Sequence, residues 1–196
     1  MMGGENGKPF LTNTQIVFLA SMIAADFGSG LVIKNLLAPT HILDLIRIDM
    51  IVPIVLMLVT RRLLDRFGVL ILYETVWGIC SVFAMPAAFG LPGLLKLLPA
   101  VTQGIILDTL MSLFRRFHRL RFYISALLGG TLSFFAYFGI RLALGYPWNE
   151  VIRALFSVQL LTTALVWVAG AALALLVWKQ IGSTPLARRL AVAEPA

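Results

Sequence analysis

Apolar residues follow one another in long, nearly continuous blocks along this chain. A hydrocarbon core about 30 Å thick takes about 20 residues of helix, so blocks of this length predict membrane-spanning helices. A barrel does not fit, because its strands alternate apolar and polar residues. The pattern therefore predicts an all-α bundle of six transmembrane helices. The predicted spans are 14–33, 42–60, 69–89, 93–114, 122–144 and 150–178.

The second block is the weakest of the six. Its uncharged core, 50–59, is too short to cross a membrane alone, so the span needs Arg47 and Asp49 in its outer turn. We interpret 36–45, just before it, as an interfacial or re-entrant piece. Because the sequence shows no internal repeat, residues 1–196 are predicted to form a single transmembrane domain that ends in a short cytoplasmic tail, 179–196.

Composition agrees with a membrane protein. Hydrophobic residues make up 60% of the chain, charged residues only 13%, and the mean hydropathy is +0.93. Soluble domains have about 45–50% apolar and about 25% charged residues. The N-terminus shows neither a cationic cluster nor a small-residue cleavage site, so we interpret the first block as a retained span rather than a signal peptide. The single cysteine, Cys80, excludes an internal disulfide.

The basic residues indicate an orientation. They concentrate in the segments 61–66 and 115–121 and in the C-terminal tail, whereas the alternate loops, 89–93 and 145–149, carry none. Lysine and arginine are enriched in cytoplasmic loops, so both termini and the two basic loops are predicted to be cytoplasmic. This placement, together with lipid headgroups, explains the net charge of +7 better than nucleic-acid binding does.

Polar residues recur at helical spacing near the outer ends of the spans. Lipid cannot satisfy such stripes, so they must point into the bundle, although any one long cation would also fit an interfacial anchor. We therefore predict an outward-facing polar pocket. The stripes are Ser133, Tyr137 and Arg141 in span five, Asn149, Arg153 and Ser157 in span six, and Lys96 and Gln103 in span four, with Lys34 and Asn35 at the end of span one. Gln103 would meet either a bound ligand or the stripes of spans five and six.

Three carboxylates lie deeper in the spans: Asp26, Glu74 and Asp108. An unpaired carboxylate inside a span costs about 2.5–3.5 kcal/mol, so each is a candidate functional residue. The alternative for Glu74 and Asp108 is protonation or pairing with Arg66 or Arg115 at the inner interface.

Small residues form a row on the first span. Ala20, Ala24 and Gly28 repeat every four residues, and Ser21 begins the adjacent row. Such rows let another helix approach closely, which indicates packing against a neighbouring span or docking of a separate membrane protein.

Over about residues 14–180 the chain resembles the S components, the substrate-binding subunits of energy-coupling factor (ECF) vitamin transporters. The small-residue face, the short spans and the outer pocket contribute to the likeness. It is most like the hydroxymethylpyrimidine/thiamin type, in which a basic loop and a glycine are followed six residues later by a glutamate. In this chain Arg66-Phe-Gly68 and Glu74 match that pattern. The family also has a glutamine-glycine pair with a carboxylate four residues after the glycine. Gln103, Gly104 and Asp108 match it, with an aspartate where the family would have glutamate.

The resemblance implies a non-enzymatic protein of a bacterial or archaeal plasma membrane that binds a vitamin or precursor without a cofactor or metal. Its partners would be a transmembrane T component, docked on the first span, and two cytoplasmic ATPases. Trp77 would stack on the ligand ring and Glu74 would pair with an amino or cationic group. The outer cations would instead suit a carboxylated or phosphorylated ligand. The substrate-binding set is Asp26, Asn35, Glu74, Trp77, Lys96, Gln103, Tyr137, Arg141 and Arg153, and the docking set is Ala20, Ser21, Ala24 and Gly28.

Two other classes remain open. A membrane enzyme would need a catalytic motif, but the sequence contains neither HExxH nor GxSxG, and it lacks the GxxxxGK[ST] motif for ATP hydrolysis. A small ion-coupled transporter would use Asp26, Glu74 and Asp108 as relays. The absence of an inverted repeat weighs against it, whereas proton-dependent uptake without an ATPase partner would favour it.

Overall fold

The structure, a computed structural model, describes residues 10–40, 46–84, 91–117, 120–156 and 158–191. Within these ranges the chain is helical and contains no strand, which confirms the predicted all-α class. The helices are α1 (Asn13–Leu37), α2 (Ile51–Leu64), α3 (Val69–Ala84), α4 (Leu97–Leu113), α5 (Leu120–Ala143), α6 (Trp148–Leu155), α7 (Val158–Ile181) and α8 (Pro185–Ala191). Short 3-10 turns precede α2 (Ile48–Met50) and α4 (Gly93–Lys96) and follow α1 (Ala38–Thr40).

In the described part of the chain, four helical segments are long and apolar enough to cross a membrane. They are α1, α4 with its preceding 3-10 turn, α5 and α7. The protein is therefore a multi-pass membrane protein. The 14 residues of α2 extend about 21 Å, and the 16 described residues of α3 extend about 24 Å, both less than the hydrocarbon thickness of about 30 Å.

The predicted sixth span, 150–178, is not one helix. It is divided at Phe156 into α6 and α7. The surface of α6 is polar, with Asn149, Glu150 and Arg153 exposed and Val151 buried, so this helix lies against the bundle by one apolar side. Of the predicted polar stripe of span six, Asn149 and Arg153 lie on α6, and Ser157 falls outside the described residues.

The predicted boundaries of the second span are also wrong. Its helix begins only at Ile51 and continues to Leu64, so that Arg61 and Arg62, predicted as loop residues, lie in its last turn. The start of the prediction, 42–45, and the end of the predicted third span, 85–89, fall outside the described residues. The first helix continues one turn beyond the predicted span, to Leu37, and includes Lys34 and Asn35.

Within the described ranges, six helices pack side by side in a ring. Going around it, α1 contacts α2, α2 contacts α7, α7 contacts α5, α5 contacts α4, and α4 contacts α3, which returns to α1. Glycines allow close approach in this ring. A Cβ on Gly104 would lie 2.7 Å from the carbonyl oxygen of Leu70, and one on Gly170 would lie 2.7 Å from Ile54. Helices α3 and α4 therefore almost touch at Gly104, which places its neighbour Gln103 beside α3.

Asp108 of α4 caps the first turn of α3. Its Oδ2 accepts hydrogen bonds from the backbone N–H groups of Gly68 (2.9 Å), Leu70 (2.8 Å) and Ile71 (3.2 Å), and its Oδ1 accepts one from Arg61 Nε (2.5 Å). The first N–H groups of a helix have no partner within the helix and favour a negative charge. One alternative for Asp108 was pairing with Arg66 or Arg115, but the arginine that it pairs with is Arg61.

Asp65 extends this charge network between α2, α4 and α5. It accepts hydrogen bonds from Arg61 Nη1 (3.2 Å), Arg115 Nε (2.9 Å) and Arg121 Nη2 (2.7 Å). Burial would raise the pKa of the Asp65 carboxyl, but the hydrogen bond and charge of Arg121, with the charges of Arg115 and Arg61, hold it below its usual value. The network fixes where α3 begins and therefore where its polar residues lie.

Candidate ligand-binding site

A pocket with about 520 Å³ of empty space, partly open to solvent, lies between α1, α2, α3 and α4. Sites of this kind, between the facing helices of a bundle, are typical places for small ligands. The lining residues are Asp26, Gly30 and Lys34 of α1; Arg47, Asp49, Met50, Pro53 and Met57 in and before α2; Glu74 and Trp77 of α3; and Gln103 of α4.

Glu74 and Gln103 meet across the α3–α4 contact. Gln103 Nε2 donates a hydrogen bond to Glu74 Oε1 at 3.1 Å, and both side chains are buried. The close approach at Gly104 makes this pairing possible, since a side chain there would meet Glu74 Cβ at 3.1 Å. The prediction that Gln103 meets a ligand or spans five and six is corrected in part, because its partner within the chain lies on span three.

Asp26 occupies the α1 side of the pocket with only half of its carboxylate engaged. Tyr73 of α3 donates its hydroxyl to Asp26 Oδ2 at 2.8 Å. Asp26 Oδ1 is buried and has no hydrogen-bond partner among the described residues. Sequence reasoning missed Tyr73, although its spacing on α3, three residues after Leu70 and four before Trp77, places it on the face that α3 turns inward.

Trp77 forms an aromatic wall. The ring is half-buried, lines the pocket, and makes an edge-to-face contact with Phe27 of α1, with ring centroids 6.2 Å apart. Edge-to-face packing leaves the orientation of an indole well defined, so Trp77 presents a fixed apolar surface to the pocket.

The other part of the pocket, where α1 ends and α2 begins, contains Lys34, Arg47 and Asp49. Arg47 binds Asp49 through two hydrogen bonds of 2.9 and 3.0 Å, a bidentate arrangement that fixes both side chains. Lys34 has no hydrogen bond or ion pair within the described residues. The sequence placed Lys34 among the polar residues at the outer ends of the spans and Arg47 in the outer turn of the second span, but put neither in the substrate-binding set.

Five predicted binding residues do not line this pocket. Lys96 is buried elsewhere and donates to the carbonyl oxygen of Ser81 at 3.3 Å, near the end of α3 where carbonyl groups attract a cation. The guanidinium of Arg141 packs over the rings of Tyr146 and Tyr137, 4.2 and 5.8 Å from their centroids. The remaining two, Arg153 and Asn35, are exposed.

The docking residues lie on the outside of the ring. Ala20, Ser21, Ala24 and Gly28 are all exposed, and a Cβ on Gly28 would have no neighbour within 4 Å. The opposite side of α1, with Leu19, Ile23, Asp26 and Gly30, faces the bundle. No helix in the described part of the chain covers the small-residue row.

Among the described residues, no group of three or more histidine, cysteine, aspartate and glutamate side chains is placed to hold a metal ion. No protein-family model, no curated protein and no solved structure matches this chain. Any functional argument therefore depends on the geometry of the pocket.

Proposed function

We propose that this protein is the membrane-embedded S component of an ECF-type importer, which binds a vitamin or vitamin precursor, with thiamin or hydroxymethylpyrimidine as the best candidates. The observation that supports this most is the pocket between α1 and α4, where Asp26, Glu74, Trp77 and Gln103 come together. All four were selected from the sequence as binding residues.

The chemistry of these four groups suits an aromatic ring that carries amino groups. A ring stacked on Trp77 would bury apolar area, and a positively charged ring would gain further from the indole face. Asp26 Oδ1 and the Glu74 carboxylate are acceptors in a buried setting. A buried acceptor without a partner costs about 1–3 kcal/mol, so a ligand N–H that reaches Asp26 recovers that cost on binding.

The positions of the outer cations remove a conflict in this assignment. Arg141, Arg153 and Lys96 suggested an anionic ligand, but Arg141 packs among aromatic rings, Arg153 faces solvent, and Lys96 binds a backbone carbonyl. The carboxylates of Asp26 and Glu74 line the pocket instead, which favours a ligand with an amino or cationic ring.

An ion-coupled transporter is less well supported. Of the three carboxylates that it would use, Asp108 is bound by Arg61 and three backbone N–H groups and has no capacity for a further cation. Asp26 and Glu74 remain, and both line one pocket together with the indole of Trp77.

Ligand retention tests the proposed function. Protein purified in detergent without added ligand is expected to retain a vitamin or pyrimidine compound in stoichiometric amount, detected by mass spectrometry of an extract. If the protein is empty, thiamin and hydroxymethylpyrimidine should quench the fluorescence of Trp77 on addition. An empty protein whose tryptophan fluorescence responds to neither compound would contradict the proposal and favour the ion-coupled carrier.

The exposed row on α1 would be the contact with the T component, which in turn would bind two ATPases at the cytoplasmic side. The same proposal implies that the chain crosses a bacterial or archaeal plasma membrane six times, with both termini in the cytoplasm. Support comes from the exposure of Ala20, Ser21, Ala24 and Gly28, a row of small side chains wide enough to admit another helix.

Replacing both Ala20 and Ala24 by leucine is expected to leave ligand affinity unchanged and to lower uptake by about tenfold, because bulky side chains prevent the close approach of a partner helix. Affinity is measured on purified protein, and uptake in vesicles that contain the whole importer. Leucine at the exposed Ala143 of α5 is the matched control and should change neither quantity. Equal loss of affinity and uptake in the double variant would exclude the docking role.

A further inference from the structure

The two ends of the pocket differ in charge. Its floor has the carboxylates of Asp26 and Glu74, without a lysine or arginine partner among the described residues. At the other end, Asp49 is paired with Arg47 through the bidentate contact, and Lys34 has neither a hydrogen bond nor an ion pair within the described residues. The pocket is therefore negative at one end and positive at the other.

Lys34 is placed to reach a ligand rather than the lipid. It lies eight residues beyond Asp26 in α1, a rise of about 12 Å, and both residues line the same pocket. Side chains of a helix lean toward its N-terminus, so Lys34 leans toward Asp26 and into the pocket.

A lysine in the last turn of a helix has an ordinary explanation, since it interacts favourably with the terminal carbonyl groups or reaches the membrane interface. Neither accounts for its surroundings. Lys34 interacts electrostatically with Asp49 and Asp26 but forms an ion pair with neither, and it is repelled by Arg47, which pairs with Asp49. Lys34 and Arg47 are two cations beside one carboxylate, that of Asp49, and this arrangement favours a ligand that adds a negative charge.

We propose that the pocket selects a dipolar ligand, with its amino or cationic ring against Asp26 and Glu74 and a phosphate or carboxylate group against Lys34. This inference rests on the proposed function and narrows it to an anionic derivative of the ring compound. A ligand with charges at both ends would match both ends of the pocket, whereas the unmodified ring would match only the floor.

Pairs of compounds that differ only by a phosphate test the inference. We would measure the affinities of thiamin, thiamin monophosphate, hydroxymethylpyrimidine and hydroxymethylpyrimidine phosphate by calorimetry on the purified full chain. The phosphorylated member of at least one pair is expected to bind about tenfold more tightly, the effect of one favourable ion pair in a partly enclosed site. Lys34→Met should abolish that preference, so that the two members of each pair bind with equal affinity. Lys179→Met, at an exposed position of α7, should leave the preference intact.

The possible failures have different meanings. Equal affinities within both pairs, or a preference that survives Lys34→Met, would overturn the anion site and leave the proposed function standing. Failure of all four compounds to bind a folded protein would overturn both. Phosphatidylglycerol added to the micelles separates a ligand phosphate from a lipid headgroup. If this lipid competes with thiamin monophosphate but not with thiamin, Lys34 binds a headgroup and the proposal is wrong.

Discussion

Asp108→Ala is expected to lower the free energy of unfolding by about 3–5 kcal/mol, the usual cost of removing one partner from a buried ion pair. The side chain of Asp108 is fully buried, and its loss leaves Arg61 with a weaker set of contacts, to Asp65 and Ser112. It also leaves three N–H groups at the start of α3 without their acceptor. Unfolding by SDS in mixed micelles measures the change.

Two further variants separate the causes. Asp108→Asn keeps one acceptor oxygen and the side-chain volume but not the charge, so its loss should be smaller. Adding Arg61→Met to Asp108→Ala should restore part of the stability, because the variant then no longer buries an uncompensated guanidinium. Glu150→Ala, at an exposed carboxylate on α6, is the control and should change stability by less than about 0.5 kcal/mol. An Asp108→Ala variant as stable as this control would show that the network does not hold α3.

Arg61 illustrates why the end of α2 could not be predicted. Arginines next to an apolar block are normally loop residues that set orientation, and the sequence of 61–66 fits that pattern. The helix continues past Arg61 because its guanidinium meets Asp108, 47 residues further along the chain. Local hydrophobicity contains no information about a partner at that distance. The division of the sixth block has a similar cause, since neither proline nor glycine marks the break at Phe156.

The same limit explains which site residues the sequence could identify. A polar residue inside an apolar block must find a partner, and that reasoning named Asp26, Glu74 and Gln103, which the structure brings together in one pocket. It cannot say what the partner is. Lys96 and Arg141 satisfied the same criterion, but a backbone carbonyl and aromatic rings engage them. Aromatic rings and helix ends act as partners only when the fold brings them close.

Glu74→Gln is expected to weaken ligand binding by about a hundredfold, the upper range for loss of a charged hydrogen-bond partner. Glutamine has nearly the same shape, and its amide oxygen can still accept the hydrogen bond from Gln103 that Glu74 Oε1 receives at 3.1 Å. The change therefore removes the negative charge with little effect on packing. A ligand ring with an amino or cationic group loses its charged partner, whereas an apolar ligand would not.

The comparison that decides the role of Glu74 is between affinity and stability. Affinity for the copurified ligand, or for thiamin, is measured together with the unfolding temperature of the ligand-free protein, and Glu150→Gln on exposed α6 is the matched control. Because Glu74 is buried beside Asp26, neutralising it relieves repulsion between two carboxylates, so the ligand-free variant should be at least as stable as the wild type. Weaker binding with unchanged or increased stability assigns Glu74 to the ligand. If affinity survives while stability falls, Glu74 serves only to join α3 to α4, and the ligand is recognised by Asp26 and Trp77 alone.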